Sequence, residues 1–230
     1  MFFARATDYP PYAFQRNLAS LPIASRILRV PTGAGKTAAA ILPWLYRLVS
    51  GAPDAPRRLV YCLPMRVLVE QTRDLARNWT ARVAPDVRVH TVIGGDANCE
   101  WEEHPELPAI VIGTQDMLLS RALNRGYAMS RYRWPVHFGL LNNDALWVCD
   151  EVQLMGDGLA TTAQLAAFRG RFATFGPAPT IWMSATLDPE MLRTVDLQGQ
   201  PAVFELGPED KTMEPLRRRL GAAKSVARAP

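Results

Sequence analysis

Val30-Pro31-Thr32-Gly33-Ala34-Gly35-Lys36-Thr37 stands between a short apolar run, Ile27 to Val30, and a long helical pattern, Lys36 to Val49. A strand that ends in a glycine-bearing loop and reopens as a helix aims backbone N–H groups and a helix N-terminus at one spot. That arrangement suits an anion. Gly33 and Gly35 let the backbone approach it where a Cβ would obstruct. In such a loop Lys36 reaches the β and γ phosphates of a nucleotide and the Thr37 hydroxyl coordinates Mg²⁺. Thr32, Gly33, Ala34, Gly35, Lys36 and Thr37 are therefore the expected phosphate-binding residues. The general pattern has a glycine at the position that Val30 occupies here.

On both sides of this loop, short apolar runs alternate with longer helical patterns. Ile27 to Val30, Leu59 to Leu63, Val87 to Ile93, Ala109 to Ile112, Ala145 to Cys149 and Thr180 to Met183 read as strands covered on both faces. Lys36 to Val49, Arg66 to Val83, Gln115 to Leu123 and Gly158 to Phe172 read as helices, the first kinked or shifted at its end by Pro43. The alternation predicts an α/β domain with a mostly parallel sheet and helices on both faces. Trp147, Trp182, Cys62 and Cys149 fall in expected strands and are read as core.

A second chemical signal follows one of these strands, in Leu146-Trp147-Val148-Cys149-Asp150-Glu151-Val152-Gln153. Alone, an acidic pair after a strand is commonly a solvated loop. Here it emerges at the carboxyl edge of the sheet, where the phosphate loop also opens. Asp150 then holds Mg²⁺ together with Thr37, and Glu151 orients and deprotonates an attacking water.

The chain has 230 residues, 48% of them hydrophobic and 21% charged. That suits one large or two small folded domains and excludes disorder, collagen-like repetition and a disulfide scaffold. The longest strongly apolar run, Ala38 to Leu45, is too short to span a bilayer, and the N-terminus does not read as a secretory signal. Cys62, Cys99 and Cys149 read as free thiols of a cytoplasmic protein. The net charge of +4 is unevenly spread. Met117 to Asn143 has no acid but carries Arg121, Arg125, Arg131 and Arg133. The stretch from Lys211 to Pro230 has six basic residues against Glu214 alone, and elsewhere acids outnumber bases. Segregated positive charge points to a polyanion. Arginines interleaved with Tyr127, Tyr132 and Trp134 suit single-stranded nucleic acid, with phosphates on Arg125, Arg131 and Arg133 and bases stacked on rings. A solvated loop packed on the body is the alternative.

These motifs together resemble the first RecA-like lobe of superfamily 2 helicases and translocases. Pro-Thr-Gly-x-Gly-Lys-Thr is the helicase form of the phosphate loop, and Asp-Glu-Val-Gln resembles the Asp-Glu-x-His or Asp-Glu-x-Asp box. Pro11 to Gln15 resembles the element whose glutamine reads the adenine edge. Leu63-Pro-Met-Arg66-x-Leu68-x-x-Gln71 resembles the Pro-Thr-Arg-x-Leu element, with Met65 in place of threonine. Gly94-Gly95 and Gly113-Thr114 resemble the elements that touch the nucleic-acid backbone, so the resemblance adds Arg66, Gly95 and Thr114 as contacts. Ser184-Ala185-Thr186 resembles the motif that couples hydrolysis to strand movement, with Gln153 bridging to it.

Within that superfamily, Gly113 to Gly126, Asp-Glu-Val-Gln-Leu-Met and Met-Ser-Ala-Thr-Leu are similar to the helicase of CRISPR-associated type I interference, although Gln153 replaces that family's usual histidine. The resemblance implies an ATP- and Mg²⁺-dependent helicase acting on DNA, preferably single-stranded, beside a CRISPR effector complex and a nuclease. It makes residues 1–206 the ATP-binding lobe and 207–230 a basic tail or the start of an interlobe linker. The second lobe and its arginine fingers have no room after Leu206, though Arg217 to Arg219 could pose as fingers. The nuclease's His-Asp cluster has no match, since His90, His104 and His137 are isolated. A general RNA or DNA helicase and a non-catalytic ATP-gated binding module remain the alternatives.

Overall fold

The computed structural model describes residues 2–94, 100–214 and 216–217. Strands form at Arg26–Arg29 (β1), Arg58–Leu63 (β2), Arg88–Val92 (β3), Ala109–Thr114 (β4), Ala145–Asp150 (β5), Thr180–Ser184 (β6) and Ala202–Glu205 (β7). They make one seven-stranded sheet of order β3-β4-β2-β5-β6-β1-β7, and every pairing is parallel. Helices form at Phe2–Thr7 (α1), Ala13–Ser20 (α2), Lys36–Val49 (α3), Arg66–Val83 (α4), Gln115–Ala122 (α5), Trp134–Asn142 (α6), Asp157–Phe172 (α7) and Pro208–Thr212 (α8). The expected α/β architecture is the one observed.

Period-two alternation explains the burial. Leu59, Tyr61 and Leu63 of β2 turn toward Ile41 and Leu45 of α3 and Val69 and Ala76 of α4. Val60 and Cys62 turn the other way, toward Leu118 of α5 and Leu159 and Ala163 of α7. Central strands with both faces covered read as unbroken apolar runs. The edges behave differently. β3 is exposed or half-exposed until Val92, so it is not covered on both faces as its sequence suggested. β7 is mostly exposed and its apolar run, Ala202 to Phe204, is only three residues long, which is why it has no counterpart among the expected strands. α1, α2 and α6 also lack one; α6 is apolar almost throughout, without a polar stripe to reveal its period. Pro43 neither ends nor shifts α3, which continues to Val49. Its missing N–H forfeits one ladder bond.

Residues after Leu206 begin packed on this body. Asp210 is fully buried, and its carboxylate accepts the Phe14 N–H at 2.8 Å and the Gly207 N–H at 2.9 Å. Leu216 is buried in the α3–α4 side of the core. Arg218, Arg219, Lys224 and Arg228 lie outside the described residues, as does Cys99. Cys62 and Cys149 are buried register partners in adjacent strands. Contact with Cys149 and burial push the Cys62 thiol well up, which makes it an inert thiol.

Two buried cations or near-cations show how the fold handles charge. Arg169 is nearly enclosed, donates to Ala178 O, Asn142 Oδ1 and Thr180 Oγ1, and lies 5.4 Å from the Trp147 ring centroid. Burial still lowers its guanidinium to about 10, so it remains charged. His137 is fully buried against Trp101 and bonds Glu102. Burial lowers its imidazole to about 4; the nearby Glu102 pulls upward, while Arg121 and Arg133 push further down. Both states are neutral at this ring above about pH 6.5. Below it, the unfolded chain takes a proton that the folded chain refuses, so stability falls as pH drops toward 4. The loss should reach about 2–3 kcal/mol. Thermal melts between pH 7 and 4 should show it, and His137→Gln should reduce the slope; an unchanged slope would exclude His137 as its source.

Candidate nucleotide site

The strand order seats β5, β6 and β1 side by side. Their carboxyl ends therefore deliver Asp150-Glu151, Ser184 and the loop from Val30 to Thr37 to one place. Pairing continues into the loop, where the Val30 N–H donates to Ser184 O at 3.1 Å. Gly33 and Gly35 adopt φ of 80° and 86°, the left-handed region where a side chain is strained. A Cβ on Gly35 would also lie 2.8 Å from Gln15 Nε2, so that position is fixed by both dihedral and contact.

Lys36 opens α3 and is buried, yet its Nζ makes no hydrogen bond among the described residues. It forms an ion pair with Glu151, whose Oε1 lies at 3.3 Å. An ammonium carries three donors, so phosphate oxygens fit what this side chain lacks. Thr32, Gly33, Gly35, Lys36, Thr37, Asp150 and Glu151 line the same cavity, while Ala34 is buried beneath the loop.

Asp150 is also buried. Its Oδ2 accepts the Tyr61 hydroxyl at 2.7 Å and its Oδ1 accepts the Glu151 N–H at 2.8 Å. Burial raises its carboxyl, while the Tyr61 hydroxyl and Lys36 draw it back down. Burial and Asp150 in turn push the Tyr61 hydroxyl well up, so it stays protonated and donating, while the nearby Thr37 side chain draws it back down. Thr37 and Asp150 thus offer oxygen donors on one cavity, and such donors fit a hard cation like Mg²⁺. Tyr61 was not singled out in the sequence. The available signal was a polar-tipped ring inside an aliphatic buried strand, on the face that meets α3.

Glu151 has φ 51° and ψ 43°, an uncommon conformation for a residue with a side chain. It turns the chain into a short 3₁₀ helix, Val152–Leu154. Gln153 Nε2 donates to Glu151 Oε2, Ser184 Oγ donates to Gln153 Oε1 at 2.7 Å, and the Thr186 N–H donates to Ser184 Oγ at 3.1 Å. Glu151, Gln153, Ser184 and Thr186 are therefore links of one hydrogen-bonded chain.

Gln15 lies on the other side of the loop. Its Oε1 accepts the Tyr12 N–H at 2.9 Å and its Nε2 donates to Gly35 O at 3.0 Å. Each amide atom keeps one further bonding position. Gln15, Gly35, Tyr9 and Tyr12 border a cavity beside the phosphate loop.

The expected nucleic-acid residues are more scattered. Arg66 begins α4, exposed and paired with Glu70 at 3.2 Å. Thr114 immediately precedes α5, and Gly95 lies outside the described residues. Arg125 and Arg131 are exposed, each with its guanidinium 6.0 Å from the Trp134 ring centroid. Arg133 pairs with Glu102, and Arg121 is buried with its guanidinium on Met117 O. The basic surface of this stretch is thus carried by Arg125 and Arg131, beside the exposed rings of Tyr127 and Tyr132.

Comparison with known proteins agrees with this fold. The chain is 24% identical over 201 residues to the mitochondrial ATP-dependent RNA helicase mss116 of Aspergillus oryzae, covering 84% of this chain and 30% of that protein. Its fold is similar to Mss116p bound to single-stranded RNA and AMP-PNP, with TM-score 0.61, 20% identity, and coverage of 89% of this chain and 42% of that one. It is likewise similar to the DUF1998 helicase MrfA bound to DNA and AMPPNP, with TM-score 0.65, 20% identity, and coverage of 91% and 29%. The chain therefore spans less than half the length of these relatives. No helix among the described residues is long and apolar enough to cross a membrane. The model of the DEAD/DEAH box helicase family matches residues 14–195, so the chain belongs to that family.

Proposed function

We propose that residues 1–206 are the ATP-binding motor lobe of a nucleic-acid helicase or translocase that uses ATP and Mg²⁺. The observation that carries this reading is the buried Lys36 ammonium, without a hydrogen bond among the described residues and 3.3 Å from Glu151, at the edge where Asp150 also emerges. Lys36 exchanges Glu151 for phosphate oxygens when a nucleotide binds, which frees the Glu151 carboxylate to take a proton from water. Thr37 and Asp150 hold the cation, kept in place by Tyr61. When bound, Mg²⁺ neutralises charge developing on the phosphates. Gln15 keeps one acceptor and one donor position side by side, complementary to the N6–H and N7 of adenine. Gln153 transmits the state of Glu151 to Ser184 and Thr186 through its two hydrogen bonds.

The nucleic acid is read as single-stranded, with DNA favoured through the likeness of Gly113 to Gly126 to the type I interference helicase. That likeness also supports a CRISPR effector complex, a separate nuclease and a second RecA-like lobe as partners in the cytoplasm. Relatives named for RNA favour the general helicase reading, so both strands belong in the test. Arg66, Thr114, Arg125 and Arg131 are the contacts proposed among the described residues. Arg125→Ala with Arg131→Ala should weaken binding of single-stranded oligonucleotides and reduce the slope of log affinity against log salt by about 0.7 per lost phosphate contact. Adding Arg133→Ala should change little, because Glu102 already engages it. Fluorescence anisotropy with matched DNA and RNA strands measures both. Unchanged affinity and slope would assign this stretch to a packed surface loop.

A further inference from the structure

The start of α2 is held from a distant part of the chain. Phe14 is the second residue of that helix, and its N–H belongs to the first turn, where no helical carbonyl is available. Asp210 Oδ1 accepts it at 2.8 Å across 196 positions of sequence. The other carboxylate oxygen accepts the Gly207 N–H at 2.9 Å, fixing the turn by which the chain leaves β7. Asp210 is fully buried, so water cannot replace it at either donor. The same turn continues to Met213, whose N–H bonds Asp210 O at 3.2 Å. Met213 borders the cavity that Tyr9, Tyr12, Gln15 and Gly35 also border. One short segment thus both clamps the helix carrying Gln15 and supplies a wall facing it.

We propose that Asp210 is a positioning residue and Met213 a lining residue for the base end of the nucleotide site, so that the segment leaving β7 helps set the preference for an adenine nucleotide. The inference rests on the reading of Gln15 as the residue that meets the base. Gln15 directly follows Phe14, and its amide is already anchored to Tyr12 and Gly35. Its remaining donor and acceptor meet a base only if the start of α2 keeps its place. Loss of the Asp210 carboxylate would leave two buried N–H groups without acceptors, and the cheapest response is for α2 and α8 to separate.

Dissociation constants for ATP and for tripolyphosphate, both with Mg²⁺, test this on the 230-residue chain. Tripolyphosphate engages the phosphate loop but has no base, so the ratio of the two affinities isolates the base end. The parent should prefer ATP. Asp210→Ala should reduce the ratio about tenfold, with tripolyphosphate affinity little changed. Asp210→Asn keeps an acceptor for one of the two N–H groups and turns its amide N–H₂ toward the other, so its ratio should fall between those of the parent and Asp210→Ala. Met213→Ser, which alters the wall and leaves the clamp alone, should lower the ratio about threefold. A parental ratio in both Asp210→Ala and Met213→Ser would overturn the proposal. So would equal loss of both ligands in Asp210→Ala alongside a parental ratio in Met213→Ser, since Asp210 would then serve folding alone. Equal affinity of the parent for ATP and tripolyphosphate would instead sink the reading of Gln15.

Discussion

Residues 1–230 alone should bind ATP·Mg²⁺ weakly, hydrolyse it barely above background and leave duplexes intact. In the resembling superfamily the nucleotide lies between two RecA-like lobes, and the second supplies arginines to the transferring phosphoryl group. Such an arginine is worth roughly 10³–10⁵ in rate. The described residues form one sheet, and the Mss116p and MrfA structures are each more than twice as long as this chain. Lys36, Thr37, Asp150 and Glu151 all stand on that one sheet's edge, so ground-state binding should survive while transition-state stabilisation is largely lost. Arg217 is engaged with Glu214 at 2.7 Å, and Arg218 and Arg219 lie outside the described residues. Phosphate release should therefore rise by several orders of magnitude when a second lobe is fused or added in trans with single-stranded nucleic acid. Robust, strand-stimulated hydrolysis by the purified monomer would overturn this expectation and point to an arginine within the chain.

The phosphate loop and the acidic pair were legible because their chemistry fixes residue types within a few consecutive positions. Gly33, Gly35, Lys36 and Thr37 have few substitutes, and a buried parallel strand announces itself by unbroken apolarity. Contacts set by strand register were not legible. Tyr61 meets Asp150 only because β2 and β5 pair with Tyr61 opposite Val148, which puts the phenol on the carboxylate's face. Charge patterning failed in the same way at Arg121 and Arg133. The stretch from Met117 to Asn143 has no acid of its own, but Glu102 reaches Arg133 from another segment and Arg121 turns inward. A run of sequence can show which charges are present without showing which of them face solvent. Asp210 is divided between the two classes: its bond to the Gly207 N–H is a local capping contact three residues back, whereas its partner Phe14 lies 196 positions away in α2.

Glu151→Gln should leave ATP binding nearly intact and reduce turnover about 10²–10⁴-fold, the usual worth of a positioned general base. The substitution keeps the shape of the side chain, and its amide oxygen can still accept from Gln153 Nε2, so the chain through Ser184 to Thr186 survives. It removes the negative charge 3.3 Å from Lys36 Nζ, leaving the ammonium more available to phosphate. Binding should therefore hold or tighten as hydrolysis fails. Lys36→Ala should do the opposite first: the buried cation is gone, Glu151 loses its partner, and nucleotide affinity itself should drop at least about tenfold. Measured in a form carrying the second lobe, the two variants separate binding from chemistry. Parental hydrolysis by Glu151→Gln would remove Glu151 as the base and leave Asp150 as the carboxylate at this edge. That outcome would be hard to reconcile with a carboxylate whose oxygens already accept Tyr61 and the Glu151 N–H.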